Sequence, residues 1–174
     1  GKTDNVYILH AIRSLAAAYP SLATVSAGNK LTLNVRILKY PQTSTGRILG
    51  LNGGFGDFTN FIPHYVKEMD RFKAPGKQHP VILLVDNDEG AKSIFNTVKQ
   101  ITKKWPTGTE SFVRIAGNLY VIATPLKLGQ KTSVIEDSFT QHTMDLKLDG
   151  KSFNPGNAPF NPAIHYGKHI FSQN

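Results

Sequence analysis

The chain has 174 residues, 40% of them apolar and 10% aromatic, with 20 Lys and Arg against 12 Asp and Glu for a formal charge of +8. That length suits one domain with an elaborated tail and a sizeable core. No stretch approaches the roughly 18 apolar residues of a membrane-spanning helix, nothing resembles a signal peptide, and the absence of cysteine excludes disulfides and thiolate metal sites.

A cysteine-free chain fits the cytoplasm, which is the expected location. The positive charge draws the protein towards polyanions, with DNA or RNA the partner class and no membrane partner expected. Its basic residues are spread from Lys2, Arg13, Arg36, Lys39 and Arg47 through Lys67–Lys77 to Lys99–Lys104, so no single tract accounts for the excess.

In chain order, Val6, Leu9, Ile12 and Leu15 recur at near-helical spacing and predict a helix from about Asp4, with Thr3 as its N-cap. "PSLATVSAGNK" reads as loop, "LTLNVRILKY" as a strand, and "PQTSTGR" as a polar lead into a second short strand in "ILGLNGGFGDF". Phe61, Tyr65, Val66 and Met69 mark the next helix, closed by "KAPGKQHP". The run Val81–Val85 predicts a strand covered on both faces, followed by a helix with Ala91, Ile94, Phe95 and Val98 on its apolar side. Trp105–Gly108 reads as a turn, "SFVRIAGNLYVIATPL" as a hairpin about Gly117–Asn118, and "VIEDSFTQHTMD" as a short helix. The last thirty or so residues are rich in Asn, Pro, Gly and His, with little periodicity. This alternation predicts an α/β fold that opens on a helix, which implies a first strand upstream of the chain.

The chemistry concentrates in "VDNDEG". Asp86 and Asp88, at i and i+2 behind a strand, can reach one hard cation through oxygen ligands, and Mg²⁺ usually takes one or two carboxylates while keeping several waters. Such a position, at the carboxyl end of a strand, is where open α/β sheets place their ligands. The competing reading is that one Asp simply caps the following helix. The glycine turn in "LNGGFGDF" permits close backbone approach to phosphate, but it lacks the order of a P-loop. His165 and His169 are four apart and could share a helix face, although the Glu of the zinc-protease motif is missing. There is no nucleophile elbow.

"VILLVDNDEGA" resembles the D-x-D strand of TOPRIM domains, and "GKTDNVYILHAI" resembles the stretch just after the TOPRIM glutamate in a segment of the form E-G-K-T-D. The tail "DLKLDGKSFNP…HYGKHIF" is similar to the end of TOPRIM domains fused behind retron reverse transcriptases, relatives of the overcoming-lysogenization-defect nucleases. The resemblance implies a TOPRIM-like, Rossmann-like, mostly parallel central sheet flanked by helices. It implies a catalytic domain over 1–140 and an irregular C-terminal extension over 141–174. The family's glutamate and its strand are expected immediately before Gly1, so the chain alone is expected to be inactive. Asp86 and Asp88 match the catalytic, metal-binding pair; Asp4 matches an acid that serves a second metal in the nuclease branch; Lys168 is a candidate phosphate contact. Glu136 and Asp137 are where further acidic help is sought. The implied activity is Mg²⁺-dependent endonucleolytic cleavage, with Mn²⁺ an alternative, in an intact anti-phage protein that also carries RNA-directed DNA polymerase activity. The implied partners are the reverse transcriptase domain, its RNA–DNA product and further copies of the protein.

Two rival readings come from other classes. A nucleic-acid-binding or assembly module without catalysis fits a chain lacking the glutamate. A phosphoacceptor domain resembling bacterial receivers also groups acids at strand ends, but it needs a separate Asp on another strand, and Asp57 sits in the glycine segment instead.

Overall fold

A computed structural model describes residues 2–39, 43–51, 55–69, 71, 79–156 and 158–173. The fold is mixed α/β and divides into two compact units, residues 1–41 with 139–174, and residues 42–138. Residues 139–174 thus group with the N-terminal segment in one of these units.

In the unit formed by residues 42–138, α2 (Ser44–Leu49) comes first. The Thr43 hydroxyl caps it by accepting from the Gly46 N–H at 3.0 Å, and Gly50 ends it in the left-handed region at φ +67°. The sequence predicts a strand here; the apolar pair Ile48–Leu49 belongs to a capped turn of helix instead. The glycines at 53 and 54 lie outside the described residues, as does most of "KAPGKQHP". Asp57 lies not in a loop but in the first turn of α3 (Phe55–Met69).

Three strands then form the sheet: β3 (Val81–Val85), β4 (Val113–Ala116) and β5 (Leu119–Ala123), in the order β3-β5-β4. β3 and β5 are parallel in register Leu83↔Val121, and β4 and β5 form the expected antiparallel hairpin. The sheet is therefore small and mixed. Between β3 and β4 runs α4 (Ala91–Thr102), which buries Ala91, Ile94, Phe95 and Val98. Those four are the apolar set that its periodicity predicts. α4 packs on α3 and on β4, in a core that includes Phe61, Ile62, Leu83, Val85, Ile115 and Val121. Only one face of β3 is buried, since Ile82 and Leu84 are exposed. The expectation of a strand covered on both faces is corrected: burial alternates along it with the period of two of any strand.

In the other unit, α1 (Lys2–Leu15) begins one residue before Thr3, so Thr3 is inside the helix and its hydroxyl donates to Asp4 Oδ1 at 3.3 Å. A hairpin follows, β1 (Ala23–Val25) against β2 (Leu31–Leu33). β1 falls in a segment expected to be loop, and β2 is far shorter than the strand expected over 31–40. The predicted helix over 134–145 breaks into a 3₁₀ turn, Ile135–Ser138, which belongs to the 42–138 unit, and α5 (Gln141–Met144), which Thr140 caps. β6 (Ser152–Phe153) and β7 (His165–Tyr166) pair in parallel, and α6 (Lys168–Phe171) ends the chain. Aromatic rings hold this unit together: Phe153 stacks on Phe171 at 3.9 Å, and Phe139 meets both Tyr7 and Phe171 edge-on at 5.1 and 5.3 Å. His165 is on a strand and His169 on a helix, so they do not share a helix face.

Candidate functional site

β3 and β5 run parallel, so their carboxyl ends lie side by side, and the Thr124 N–H closes that end by donating to Val85 O at 3.0 Å. Immediately beyond, a buried polar network fixes the backbone. The Asn87 N–H donates to Ser133 O at 2.8 Å, and the Ser133 N–H returns a bond to Asn87 O at 2.9 Å. The Asn87 amide donates to Gly108 O at 2.8 Å and Thr124 O at 3.3 Å, while the Thr124 and Ser133 hydroxyls lie 2.8 Å apart. All three side chains are buried, and the Asn87 amide N–H group and both hydroxyls are hydrogen-bonded, as a buried network requires.

Asn87 is turned inward, and Asp86 and Asp88 flank it in sequence just beyond β3. Asp86 is half-buried, and its Oδ1 accepts from the Ile135 N–H at 3.0 Å. Asp88 is exposed, and its Oδ1 accepts from the Ala91 N–H at 3.2 Å in the first turn of α4. The capping reading of Asp88 is thus realised, and the helix dipole favours its charge there. Glu89 faces solvent and pairs with Lys92 at 2.6 Å, a surface ion pair of little energetic weight.

Asp86 and Asp88 are the residue types that suit a hard ion taking two protein oxygens and completing its shell with water. The Asn87 amide nitrogen is committed to the network. Among the described residues no group of three or more His, Cys, Asp or Glu converges as a metal cage. Glu136 is buried at 2% exposure, on the 3₁₀ turn whose first N–H is held by Asp86. Asp137 turns back on its own segment, where its Oδ2 accepts from the Val134 N–H at 2.8 Å.

Next to this end of the sheet, the loop after α4 is pinned by Glu110. Its carboxylate accepts from the Thr107 N–H at 3.0 Å and the Gly108 N–H at 3.0 Å. Burial pushes the Glu110 carboxyl up, but these hydrogen bonds together outweigh it and hold the carboxyl below its ordinary value.

The other expected site residues, Asp4 and Lys168, belong to the other unit. Asp4 is in the first turn of α1, and Lys168 opens α6, where its carbonyl accepts from the Tyr7 hydroxyl at 3.5 Å. α1 and α6 are therefore neighbours. A cavity of about 440 Å³ in the same unit is lined by Tyr7, His10, Phe139, Thr143 and Tyr166 among others, a wall too apolar to hold a cation. The Tyr166 hydroxyl donates to Leu146 O at 2.6 Å, and burial raises its pKa above the usual phenol value.

The D-x-D pair is legible in the sequence; its support is not. Asn87 stands in view between the two acids, yet nothing in the sequence ties it to Gly108, Thr124 or Ser133. Among the described residues no helix is long and apolar enough to cross a membrane. No family model matches the chain, and no solved structure matches it.

Proposed function

We propose that this chain is a TOPRIM-like, metal-dependent phosphodiester-cleaving domain, the effector part of a retron reverse transcriptase fusion in anti-phage defence. The observation that carries the reading is the pair Asp86 and Asp88 at the carboxyl end of the parallel strands β3 and β5, held there by the buried amide of Asn87. Each carboxylate also has a backbone partner, and a cation held by both would offset their like charge.

Asp86 and Asp88 would hold Mg²⁺, with Mn²⁺ an alternative. Such an ion supplies a water acidified towards neutral pH and positive charge at the transferring phosphate. The chain's own contribution is positioning. The Ile135 N–H orients Asp86, the first turn of α4 orients Asp88, and basic side chains attract the phosphate backbone. The resemblance assigns Asp4 to a second ion and Lys168 to a phosphate contact. The substrate is DNA or RNA, and the polymerase domain and its RNA–DNA product are the partners.

Cleavage of labelled DNA and structured RNA is the test, with Mg²⁺ and with EDTA, for this chain and for a polypeptide extended upstream through the expected glutamate. We expect cutting by the extended form, its loss in EDTA, and a drop on the order of a hundredfold for Asp88→Ala, the scale of losing one preorganised electrostatic contact. Cutting that survives in an Asp86→Asn/Asp88→Asn variant sinks the reading. The capping bond from Ala91 N–H to Asp88 favours a second reading, a nucleic-acid-binding module in which the acids are architectural. Binding without Mg²⁺-dependent turnover by the extended form supports that one.

A further inference from the structure

At the C-terminal end of α4 the sequence reads Lys99, Lys103, Lys104, Trp105, and no acid comes after them before Glu110. The three lysines are exposed. Trp105 is 47% exposed, which is unusual for the chain's single tryptophan, since a large indole is normally well buried. Lys99 Nζ lies 5.4 Å from the indole centroid, so it occupies one face of the ring. Lys103 caps the helix in the left-handed region at φ +63°, and its Nζ donates to Gln100 O at 2.8 Å. Lysines at a helix C-terminus also complement its dipole, but that role does not call for an exposed indole among them.

The loop carrying Trp105 is built rather than loose. Pro106 is buried and Glu110 ties the Thr107 and Gly108 N–H groups. The loop also leads to the acids. Trp105 and Gly108 are three residues apart, so their Cα atoms lie within about 11 Å. Gly108 O accepts from the amide of Asn87, the residue between Asp86 and Asp88, at 2.8 Å.

We propose that Trp105, Lys99, Lys103 and Lys104 form a platform for single-stranded nucleic acid. A base stacks on the open face of the indole and the lysines hold the flanking phosphates, which sets the strand on a course towards Asp86 and Asp88. Aromatic stacking beside a positive surface is how proteins hold single strands without reading sequence. The direction of the strand rests on the cleavage reading; the binding itself does not.

The sole tryptophan makes the test direct. The 174-residue chain is titrated in EDTA with a single-stranded oligonucleotide of about 15 nucleotides, within the range of known site sizes, while tryptophan emission and the anisotropy of a labelled strand are recorded. The expected result is saturable quenching that tracks the anisotropy. Trp105→Ala should weaken binding roughly tenfold and Trp105→Phe much less, because a ring still stacks. Replacing Lys99, Lys103 and Lys104 by Gln should lower the salt dependence by about two in log–log slope. Binding by anisotropy with unchanged tryptophan emission, or equal affinity for folded Trp105→Ala, overturns the proposal. So does an emission change with phosphatidylserine vesicles and none with the oligonucleotide, which points to a membrane surface. Because no metal is present, failure here is separable from failure of Mg²⁺-dependent cleavage.

Discussion

Between Asp86 and Asp88 in sequence, Asn87 donates two hydrogen bonds to carbonyls from separate segments, Gly108 O and Thr124 O. The position leaves no room for improvisation opposite it. Gly108 has φ +78°, and a Cβ there would sit 2.7 Å from the Asn87 amide, so both glycine's conformational freedom and its missing side chain are used. Glu110 stabilises the same loop by charge. Its folded carboxyl titrates below the ordinary value of 4.5, so as pH falls protons bind the unfolded chain first. The stability it contributes is therefore complete above 4.5 and is lost as pH falls through the still lower folded value. Glu110→Gln should lower the urea midpoint at pH 7, and the difference from wild type should shrink progressively as pH falls below 4.5. Urea melts monitored by tryptophan emission check this. A difference that persists undiminished at the acid end would mean the carboxylate charge is not what ties the loop.

The elements that can be read from the sequence are those with a long apolar period. α4 shows its four buried residues at helical spacing, α3 its Phe61–Tyr65–Met69 stripe, and the β4–β5 hairpin its Gly117–Asn118 turn. The short ones cannot be read. β1 has three residues, too few to display alternation, and α2 has six, too few to outweigh the strand-like look of Ile48–Leu49 before a glycine. Thr43 and Gly50 are nevertheless both visible as cap and stop. β3 misleads differently: an unbroken apolar run looks like double-sided burial, yet Ile82 and Leu84 are exposed. Where the periodicity is strong, packing should be strong too. Ile94 is 1% exposed on the inner side of α4, and Ile94→Ala should cost about 2–5 kcal/mol as a cavity opens that neighbours fill only in part. Chemical unfolding monitored at Trp105 measures it. A loss below about 1 kcal/mol would be that of a surface position rather than a core one.

For the whole molecule, what the sequence hides is the grouping of distant segments. Hydrophobic period is local, whereas the bond from the Tyr7 hydroxyl to Lys168 O spans 161 residues. The grouping of the tail with residues 1–41 in one unit is therefore not visible in local periodicity. Charge needs no fold to be read, and its consequence is a property of the entire chain. An excess of 20 basic over 12 acidic side chains favours encounter with any polyanion and does so through a field that salt screens. For a single strand, each phosphate neutralised contributes about 0.7 to the slope of log affinity against log salt. If Trp105 and its lysines engage about four phosphates, raising monovalent salt from about 50 to 200 mM should weaken binding roughly 50-fold. Anisotropy titrations across that range, in EDTA so that neither cleavage nor divalent bridging intrudes, provide the measurement. Affinity that stays flat with salt would show that the +8 charge serves solubility alone and that stacking by itself holds the strand.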